Sequence, residues 1–414
     1  MCRCILAGSK EKYHVIIPTG PGISGKLVSR QTPQIKEPVI STTDSTNGLA
    51  KTVTIPEYVQ IGYKGFRVEV ENKPLYVSQA HKNNNGDQYL AIPDSHLGKE
   101  YYISNYCPDD SRCQFAVTPV VDNTNVCIQI PNAINVSNVA VTCPTKQEAQ
   151  QKDTWSIVKC TLNELNVLVV KYNGDLSGIR VTANNNVAVV VGASQMKTPY
   201  NSRNSRPIEQ LPPVNKWGKE FVVVPSELDT SGDMIKITSR VKNTQLYMTG
   251  FSPFIIPHIG QSVERKVDRG INVYIRASNP VLVLQIIGTT FTTSRTTPAS
   301  MSLVPAISYW KNIDVETCSV LGVQHDCRVY YAGNVQTHDN FIEVANKEYY
   351  GGSRDACSED HDGMEYVLYT SGNASPVDVD WSKESQVSYH IYLIKCVFVF
   401  VYVFILPYIL PGVN

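Results

Sequence analysis

Short runs of β-branched and aromatic residues follow one another along the chain, separated by Gly, Asn, Pro and Asp. Some runs alternate apolar and polar residues, as in FRVEV (66–70), and others are solidly apolar, as in NVAVVVG (186–192). Alternation is typical of a strand with one buried face, and a short solid run is typical of a strand buried on both faces. Because turn residues recur about every ten positions, the pattern predicts an all-β protein of tandem β-sandwich-like modules.

No stretch carries the apolar spacing of an amphipathic helix longer than about three turns. The best candidate, KQEAQQKDTW (146–155), lacks an apolar stripe and is predicted to be a loop. Within RVTANNNVAVVVG (180–192), Asn185 and Asn186 tolerate the left-handed backbone of a tight turn, which predicts a hairpin. The apolar run after this turn is expected to be a central strand, buried on both sides.

Three sequence landmarks recur in the same order, which indicates an internal repeat. The first is an arginine, an alternating strand, an Asn-containing turn and an apolar strand. The second is a Leu/Ile-Pro turn, and the third is a small loop followed by Lys-Glu and an aromatic strand. The residues that mark the repeats are Arg67, Arg180, Arg276, Gly98, Gly218, Trp217 and Trp310.

The landmarks are spaced by roughly 90 to 120 residues, which is the size of a single sandwich domain. The sequence therefore predicts three modules, a partial fourth module and a hydrophobic tail. The predicted ranges are 9–97, 98–217, 218–310 and 311–385 for the modules, and 391–410 for the tail. Because the first repeat begins near residue 9, we expect the true N-terminus, with its signal peptide, to be missing from this sequence.

The predicted tail, IYLIKCVFVFVYVFILPYIL, is nearly continuously apolar and is interrupted by Lys395 and Pro407. Its length is only just sufficient to span a bilayer. Three interpretations stay open at this stage: a membrane segment, the cleaved part of a signal for a lipid anchor, and a wrong end of the gene model.

Charge and composition narrow the class of partner. The chain has 37 basic and 37 acidic residues, so its formal net charge is zero, and no basic stripe stands out. We therefore expect no nucleic-acid partner. The 23 tyrosines, with abundant Val, Ile and Thr, favour strands.

The 11 cysteines favour an oxidising compartment. Two pairs bracket short polar turns, as small disulfide bridges do, although buried free thiols in a cytosolic protein are the alternative. No CxxC pair or zinc-binding spacing occurs, so no metal is expected. The disulfide candidates are Cys107 with Cys113 and Cys318 with Cys327, and the glycosylation candidates are Asn135 and Asn373.

The stretch DLSGIRVTANNNVAVVVGAS (175–194), followed by IEQLPPVNKWGKEFVVVP (208–225), resembles the N-terminal domain family of the IgGFc-binding proteins. That family carries Leu-Ser-Gly-x-Arg-Val-Thr-Ala, an apolar strand, a Glu-Gln-Leu-x-Pro-Val turn and a Trp-Gly strand start, in this order. The resemblance is densest over 175–225 and weaker over about 12–345. It implies an extracellular or mucus-associated role in binding and adhesion.

One loop departs from the family pattern. The family places a cysteine pair between the apolar strand and the Glu-Gln-Leu-x-Pro turn, whereas this chain has SQMKTPYNSRNSRP (194–207), which contains no cysteine. A disulfide in this loop is therefore in doubt, and so is any ligand surface that depends on it. Nothing in the sequence is a recognisable immunoglobulin contact.

Catalytic signatures are weak. GPGISGK (20–26) fits half of a phosphate loop, but Leu27 stands where Ser or Thr would bind magnesium. EDHDG (359–363) and DVD (378–380) could hold calcium, or could be solvated acidic loops. No GxSxG or HExxH motif occurs. We therefore expect neither a catalytic site nor a cofactor.

The sequence predicts a non-catalytic binding protein whose partners are protein or glycan ligands, including components of mucus or matrix. A structural spacer and a hydrolase on a β scaffold are the alternatives. Trp217 is interpreted as a ring packed at the junction between modules, and an aromatic anchor for a partner is the alternative. An exposed apolar patch would favour a binder over a spacer.

Overall fold

The computed structural model describes residues 87–309 except for 109–110, 146, 153–154, 199–200, 224, 226–231, 269–272 and 288–298. Outside this range it describes only the strands whose bounds follow. The regular structure of all these residues is strand or short 3-10 helix, so the predicted all-β class is confirmed. None of the described helices is long and apolar enough to cross a membrane. Of the predicted tail, only residues 391–392 are described.

The strands form four consecutive groups. Unit 1 holds β1 (Lys10–Thr19), β2 (Ile23–Val28), β3 (Gln34–Lys36), β4 (Ser41–Asp44), β5 (Ala50–Thr54), β6 (Gly62–Glu71), β7 (Tyr76–His81) and β8 (Asp87–Leu90). Unit 2 holds β9 (Gly98–Tyr102), β10 (Arg112–Pro119), β11 (Thr124–Pro131), β12 (Ala140–Thr142), β13 (Gln147–Lys152), β14 (Trp155–Leu162), β15 (Leu168–Tyr172), β16 (Arg180–Thr198), β17 (Asn201–Ser205) and β18 (Ile208–Leu211).

Unit 3 holds β19 (Gly218–Val223), β20 (Asp233–Ser239), β21 (Thr244–Met248), β22 (Phe251–Ile256), β23 (Ser262–Val267), β24 (Val273–Ile287) and β25 (Ser300–Leu303). The last group forms a four-stranded sheet of β26 (Val329–Asn334), β27 (Arg354–Cys357), β28 (Tyr366–Ser371) and β29 (Ile391–Tyr392). The short 3-10 helices are η1 (Asp94–His96), η2 (Val136–Asn138), η3 (Val214–Lys216) and η4 (Ile307–Tyr309).

Units 2 and 3 share one antiparallel connectivity, built around a long strand. In unit 2, β16 pairs with β10 and β11 and also with β9 and β18, the first and last strands of the main sheet. In unit 3, β24 pairs in the same way with β20, β21, β19 and β25. In unit 1 two strands share this role, since β1 and β3 pair with β6 while β2 and β8 pair with β7. The strand pairing thus repeats in the order in which the sequence landmarks recur.

The hairpin predicted within 180–192 is wrong, because these residues belong to the continuous strand β16. Where β16 pairs with β9, Thr182 lies opposite Glu100 and Val187 lies opposite Gly98, so a longer stretch of β16 faces a shorter stretch of β9. The four intervening residues of β16 form a bulge on that side, which lets a long strand bend. β24 shows the same irregularity where it pairs with β19: Arg276 lies opposite Glu220, and Val281 lies opposite Gly218. The Asn-containing segment therefore marks a repeated bulge and not a turn.

The apolar run of β16 is buried on both faces, as predicted. Residues 187–193 are buried without interruption. Val187, Val189 and Val191 point into the core of unit 2, while Val190 packs against side chains of unit 1 that include Tyr13. Because the two faces meet different units, a solid apolar run is needed instead of an alternating one.

The loop predicted over 146–155 is also wrong. Residues 147–152 form β13, which pairs with β14 in antiparallel register from Gln147 opposite Cys160 to Lys152 opposite Trp155. The strand lies at the edge of its sheet, and its side chains are exposed over 147–151. An edge strand with exposed side chains has no apolar face, so the hydrophobic pattern could not reveal it.

Two glycines of the repeat lie where the last turn of a unit packs against the first strand of the same unit. A Cβ at Gly98 would lie 2.5 Å from the Cβ of Pro213, and a Cβ at Gly218 would overlap the Cβ of Ala306. Pro213 and Ala306 precede η3 and η4, the turns that end units 2 and 3. Glycine is required at both positions because the last turn of each unit rests on the first strand of that unit.

Strand pairing stays within each group of strands, but the hydrophobic cores join residues of different groups. Strands between 98 and 211 pair with one another, and so do strands between 218 and 303. The core of unit 2 nevertheless includes Leu282, Leu284 and Met301 of unit 3. That each predicted range folds by itself stays a prediction.

Candidate binding surface and unit junctions

Exposed apolar residues concentrate on one edge of unit 3. Among the described residues the exposed large apolar side chains are Val121, Ile255 and Ile259, at 46%, 53% and 51% exposure. Ile255 and Ile259 both lie within residues 251–259, which we call the β22 segment. Isolated exposed apolar residues are ordinary, but two within five positions suit a contact surface.

The β22 segment is placed where a partner could reach it. The strand order in the main sheet of unit 3 is β22-β21-β24-β20-β23, so β22 is an edge strand. Ile256 is fully buried in the core of unit 3 and Phe254 packs against that core, while Ile255 points away from it. The Arg265 guanidinium lies 4.4 Å from the centre of the Phe254 ring, a distance that allows a cation–π contact. The segment combines an unshared sheet edge with exposed apolar groups, and the Arg265 cation lies beside it.

A buried histidine joins units 1 and 2. The Nδ1 atom of His14 lies 2.8 Å from Asp94 Oδ2, and its Nε2 atom lies 3.2 Å from Glu164 Oε1. Arg67 also donates to Glu164, at 3.1 Å. Burial acts to raise the pKa of Glu164, but the hydrogen bonds from Arg67 and His14 outweigh it and lower that pKa. Both ring nitrogens are engaged by carboxylates, so His14 has neither free to activate a nucleophile.

No sequence pattern indicated this cluster. His14 and Glu164 are separated by 150 residues, and His14 and Asp94 by 80. These contacts form only in the folded protein, because β1 packs on the last turn of its own unit and on the neighbouring unit. Among the repeat arginines, only Arg67 takes part in the cluster.

Arg180 and Arg276 do not hold equivalent positions. Arg276 lies opposite Glu220, whereas the residue opposite Glu100 is Thr182. Arg180 nevertheless donates from Nε to Glu100 Oε1 at 2.7 Å, and Arg276 Nε lies 3.8 Å from Glu220 Oε1. The alignment of these two arginines is therefore shifted by two residues, but each one still contacts the glutamate of the Lys-Glu landmark.

Trp217 is a buried ring. It is 6% exposed, its Nε1 donates to the carbonyl of Pro212 at 3.2 Å, and its ring meets the Tyr102 ring edge to face with 6.3 Å between centres. It belongs to the core that also contains Leu282 of unit 3. Trp217 therefore lies at the junction of units 2 and 3, where a partner could not reach it. Trp310 lies outside the described residues.

Two disulfides tie unit 2. Cys107 is bonded to Cys113, as predicted, and Cys143 is bonded to Cys160, a pairing that the sequence did not reveal because 17 residues separate the two. Cys127, on β11, is a free thiol and half-buried. The predicted Cys318–Cys327 pair lies outside the described residues. Two disulfides in one unit suit a secreted protein.

The sequon at Asn135 lies on an exposed turn. Asn135 caps η2, and its Oδ1 accepts hydrogen bonds from the Ser137 backbone NH and hydroxyl at 3.2 and 2.6 Å. Both side chains are exposed, beside a shallow polar hollow lined by Gln151 and Ser156. Asn373 lies outside the described residues.

The sequences weighed as catalytic or metal sites gain no support. The part of the chain that the structure describes contains no group of three or more His, Cys, Asp or Glu side chains that could hold a metal ion. Both acidic stretches considered for calcium, 359–363 and 378–380, lie outside that part. The glycine-rich stretch continues from Ile23 as strand β2, where a phosphate loop would continue as a helix.

Comparison with known proteins gives one match. The model of a protein family described as IgGFc binding protein matches residues 87–349, which is more than half of the chain. This range begins at β8 and includes units 2 and 3 completely. No curated protein and no solved structure matches the chain.

Proposed function

Because the chain belongs to the IgGFc-binding protein family, we propose that it is a non-catalytic extracellular or cell-surface protein that recognises protein or glycan ligands of mucus or matrix. The family match over residues 87–349 carries this proposal. The β22 segment supports it, because a binder needs an exposed apolar surface and a spacer does not. The two disulfides of unit 2 support the extracellular setting.

In this proposal the chain is a row of sandwich-like modules, with units 1, 2 and 3 corresponding to the ranges 9–97, 98–217 and 218–310. The repeated bulge, the repeated closing glycine and the shared strand order support this division. A structural spacer is the second candidate function, favoured by the apolar core that crosses from unit 2 to unit 3. The buried histidine of the described residues, His14, gives a hydrolase no support, because carboxylates engage both of its ring nitrogens.

The β22 segment can be tested by cross-linking in extracellular fluid. A photo-reactive residue at Ile259 is expected to capture one defined macromolecule, whereas the same residue at Val121 is not. Changing Ile255→Asp in the Ile259 probe protein is expected to reduce capture at least tenfold, because an apolar side chain buried by a partner contributes about 1.5 kcal/mol or more. Mass spectrometry of the cross-linked species measures both outcomes.

Val121 is the matched control, since it is an exposed apolar residue on the connection between β10 and β11, outside the β22 segment. Equal capture from Ile259 and Val121, or none from Ile259, would contradict a binding role for the segment. The immunoglobulin Fc fragment is a useful first probe because of the family's name, and its failure to bind would exclude only that ligand.

The extracellular setting predicts a glycan on Asn135. When the chain is passed through a eukaryotic secretory pathway, Asn135→Gln should remove the mass of one N-linked glycan, and Ser137→Ala should do the same. Asn132→Gln, a nearby exposed asparagine outside a sequon, should leave the mass of the glycan unchanged. Secreted protein with an unmodified Asn135 would disprove this prediction.

A further inference from the structure

Two parts of the stretches that resemble the family, DLSG at 175–178 and EQL at 209–211, lie at junctions between units. We infer that these motifs are docking contacts whose partners are the neighbouring units, and that they hold units 1, 2 and 3 as one rigid body. This inference is independent of any ligand and goes beyond the proposed function.

The first contact is a buried lysine of unit 3 held by a carboxylate of unit 2. Lys236 Nζ donates to Asp175 Oδ2 at 2.8 Å and to Glu264 Oε1 at 3.0 Å. The lysine side chain is 1% exposed, whereas the two carboxylates are 44% and 41% exposed. A buried ammonium group is costly unless it is paired, so a residue of the other unit supplies part of the pairing that stabilises Lys236.

Two glycine turns meet at the same junction. Gly178 and Gly260 have φ values of 89° and 75°, and a Cβ at Gly178 would lie 3.0 Å from the Gly260 carbonyl oxygen. A Cβ at Gly260 would in turn lie 3.1 Å from the Gly178 carbonyl oxygen. Nearby, Thr238 Oγ1 donates to Ser104 Oγ at 2.8 Å. The glycine of the DLSG motif thus permits close contact between the two backbones.

The second motif reaches units on both sides. Glu209 is 5% exposed, and its Oε2 accepts the backbone NH of Leu303 in unit 3 at 2.9 Å. Gln210 is 1% exposed, and its Oε1 accepts the backbone NH of Ile92 in unit 1 at 3.0 Å. Buried side chains that satisfy backbone groups of other units fix the relative position of those units.

Asp175 offers a substitution that removes only the contact between units. Its Oδ1 accepts the NH and hydroxyl of Ser177 within the DLSG loop, at 2.9 and 2.6 Å, while its Oδ2 holds Lys236. Asp175→Asn keeps an oxygen for Ser177 and presents an amide NH₂ to the ammonium group. The loop should therefore persist while the junction weakens.

Amide hydrogen exchange of the full chain, followed by mass spectrometry, tests the inference. Asp175→Asn in unit 2 should speed exchange of residues 235–238 in unit 3 at least tenfold, with β21 keeping its wild-type protection. In the reverse direction, Lys236→Met should speed exchange of residues 176–179 in unit 2. In the control Glu264→Gln, which keeps Asp175 on Lys236, residues 176–179 should exchange as in the wild type.

An effect that crosses the junction distinguishes docking from a role inside one unit. If Asp175→Asn changed exchange only within residues 175–179, or changed nothing, the inference would be overturned. If the Lys236→Met variant failed to fold, the Asp175→Asn variant alone would test the inference. The Asp175 side chain is partly exposed, so this substitution should leave the fold intact. Two separate calorimetric transitions for units 2 and 3 in the wild-type chain would also overturn it, because units that share a core and these buried contacts should unfold cooperatively.

Discussion

Replacing Trp217 by alanine should lower the free energy of unfolding by about 3–5 kcal/mol, the usual cost of deleting a buried large aromatic side chain. The ring is 6% exposed, contacts Tyr102 and donates a hydrogen bond to Pro212. Its loss would leave a cavity where the cores of units 2 and 3 meet and would leave the Pro212 carbonyl without this donor. Chemical denaturation followed by circular dichroism measures the effect.

Trp155→Ala is the matched control, because Trp155 lies half-buried on β14, beside the edge strand β13. It should cost less than Trp217→Ala, since less of its ring is removed from water. If Trp217→Ala left stability intact while a ligand was lost, the packing interpretation would fail and the anchor interpretation would replace it.

Removing the Cys143–Cys160 disulfide, by changing both residues to serine, should destabilise the chain by about 3 kcal/mol, since the bond closes a loop of 17 residues in the unfolded chain. Cys143 follows β12 and Cys160 lies on β14, and these two strands lie towards opposite ends of the curled sheet of unit 2. The bond therefore joins the two ends of the sheet. Thermal unfolding of the oxidised protein measures the loss.

The paired serine variant at Cys107 and Cys113 is the comparison. Its loop is shorter, with a separation of 6 residues, so the cost should be smaller, about 2 kcal/mol. A larger loss at the short loop, or no loss at Cys143 and Cys160, would contradict the prediction. Addition of a reducing agent should lower the stability of the wild type towards that of the variants.

The sequence revealed those features that depend on local pattern. Runs of Val and Ile predicted the strands, and the solid run before Gly192 correctly predicted a strand buried on both faces. The spacing of Cys107 and Cys113 predicted a disulfide because the two cysteines bracket one short turn. The recurring landmarks predicted an internal repeat, and β16 and β24 show a similar register shift against β9 and β19.

Features that depend on distant residues were missed or misread. Asn185 and Asn186 suit a turn and also suit a bulge, and only pairing with β9 distinguishes the two. β13 became a strand through its pairing with β14, against weak local preference. Lys236 and His14 gave no signal because their carboxylate partners lie in other units or far along the chain.

The polar edge strand β13 has a consequence for solubility. Sheet edges with unpaired backbone groups tend to join edges of other molecules into fibrils, and natural proteins resist this with short, charged or polar edges. Side chains of Gln147, Glu148, Gln150 and Gln151 project into solvent along this rim. The β13 rim should therefore resist edge-to-edge stacking between molecules, which an apolar rim would promote.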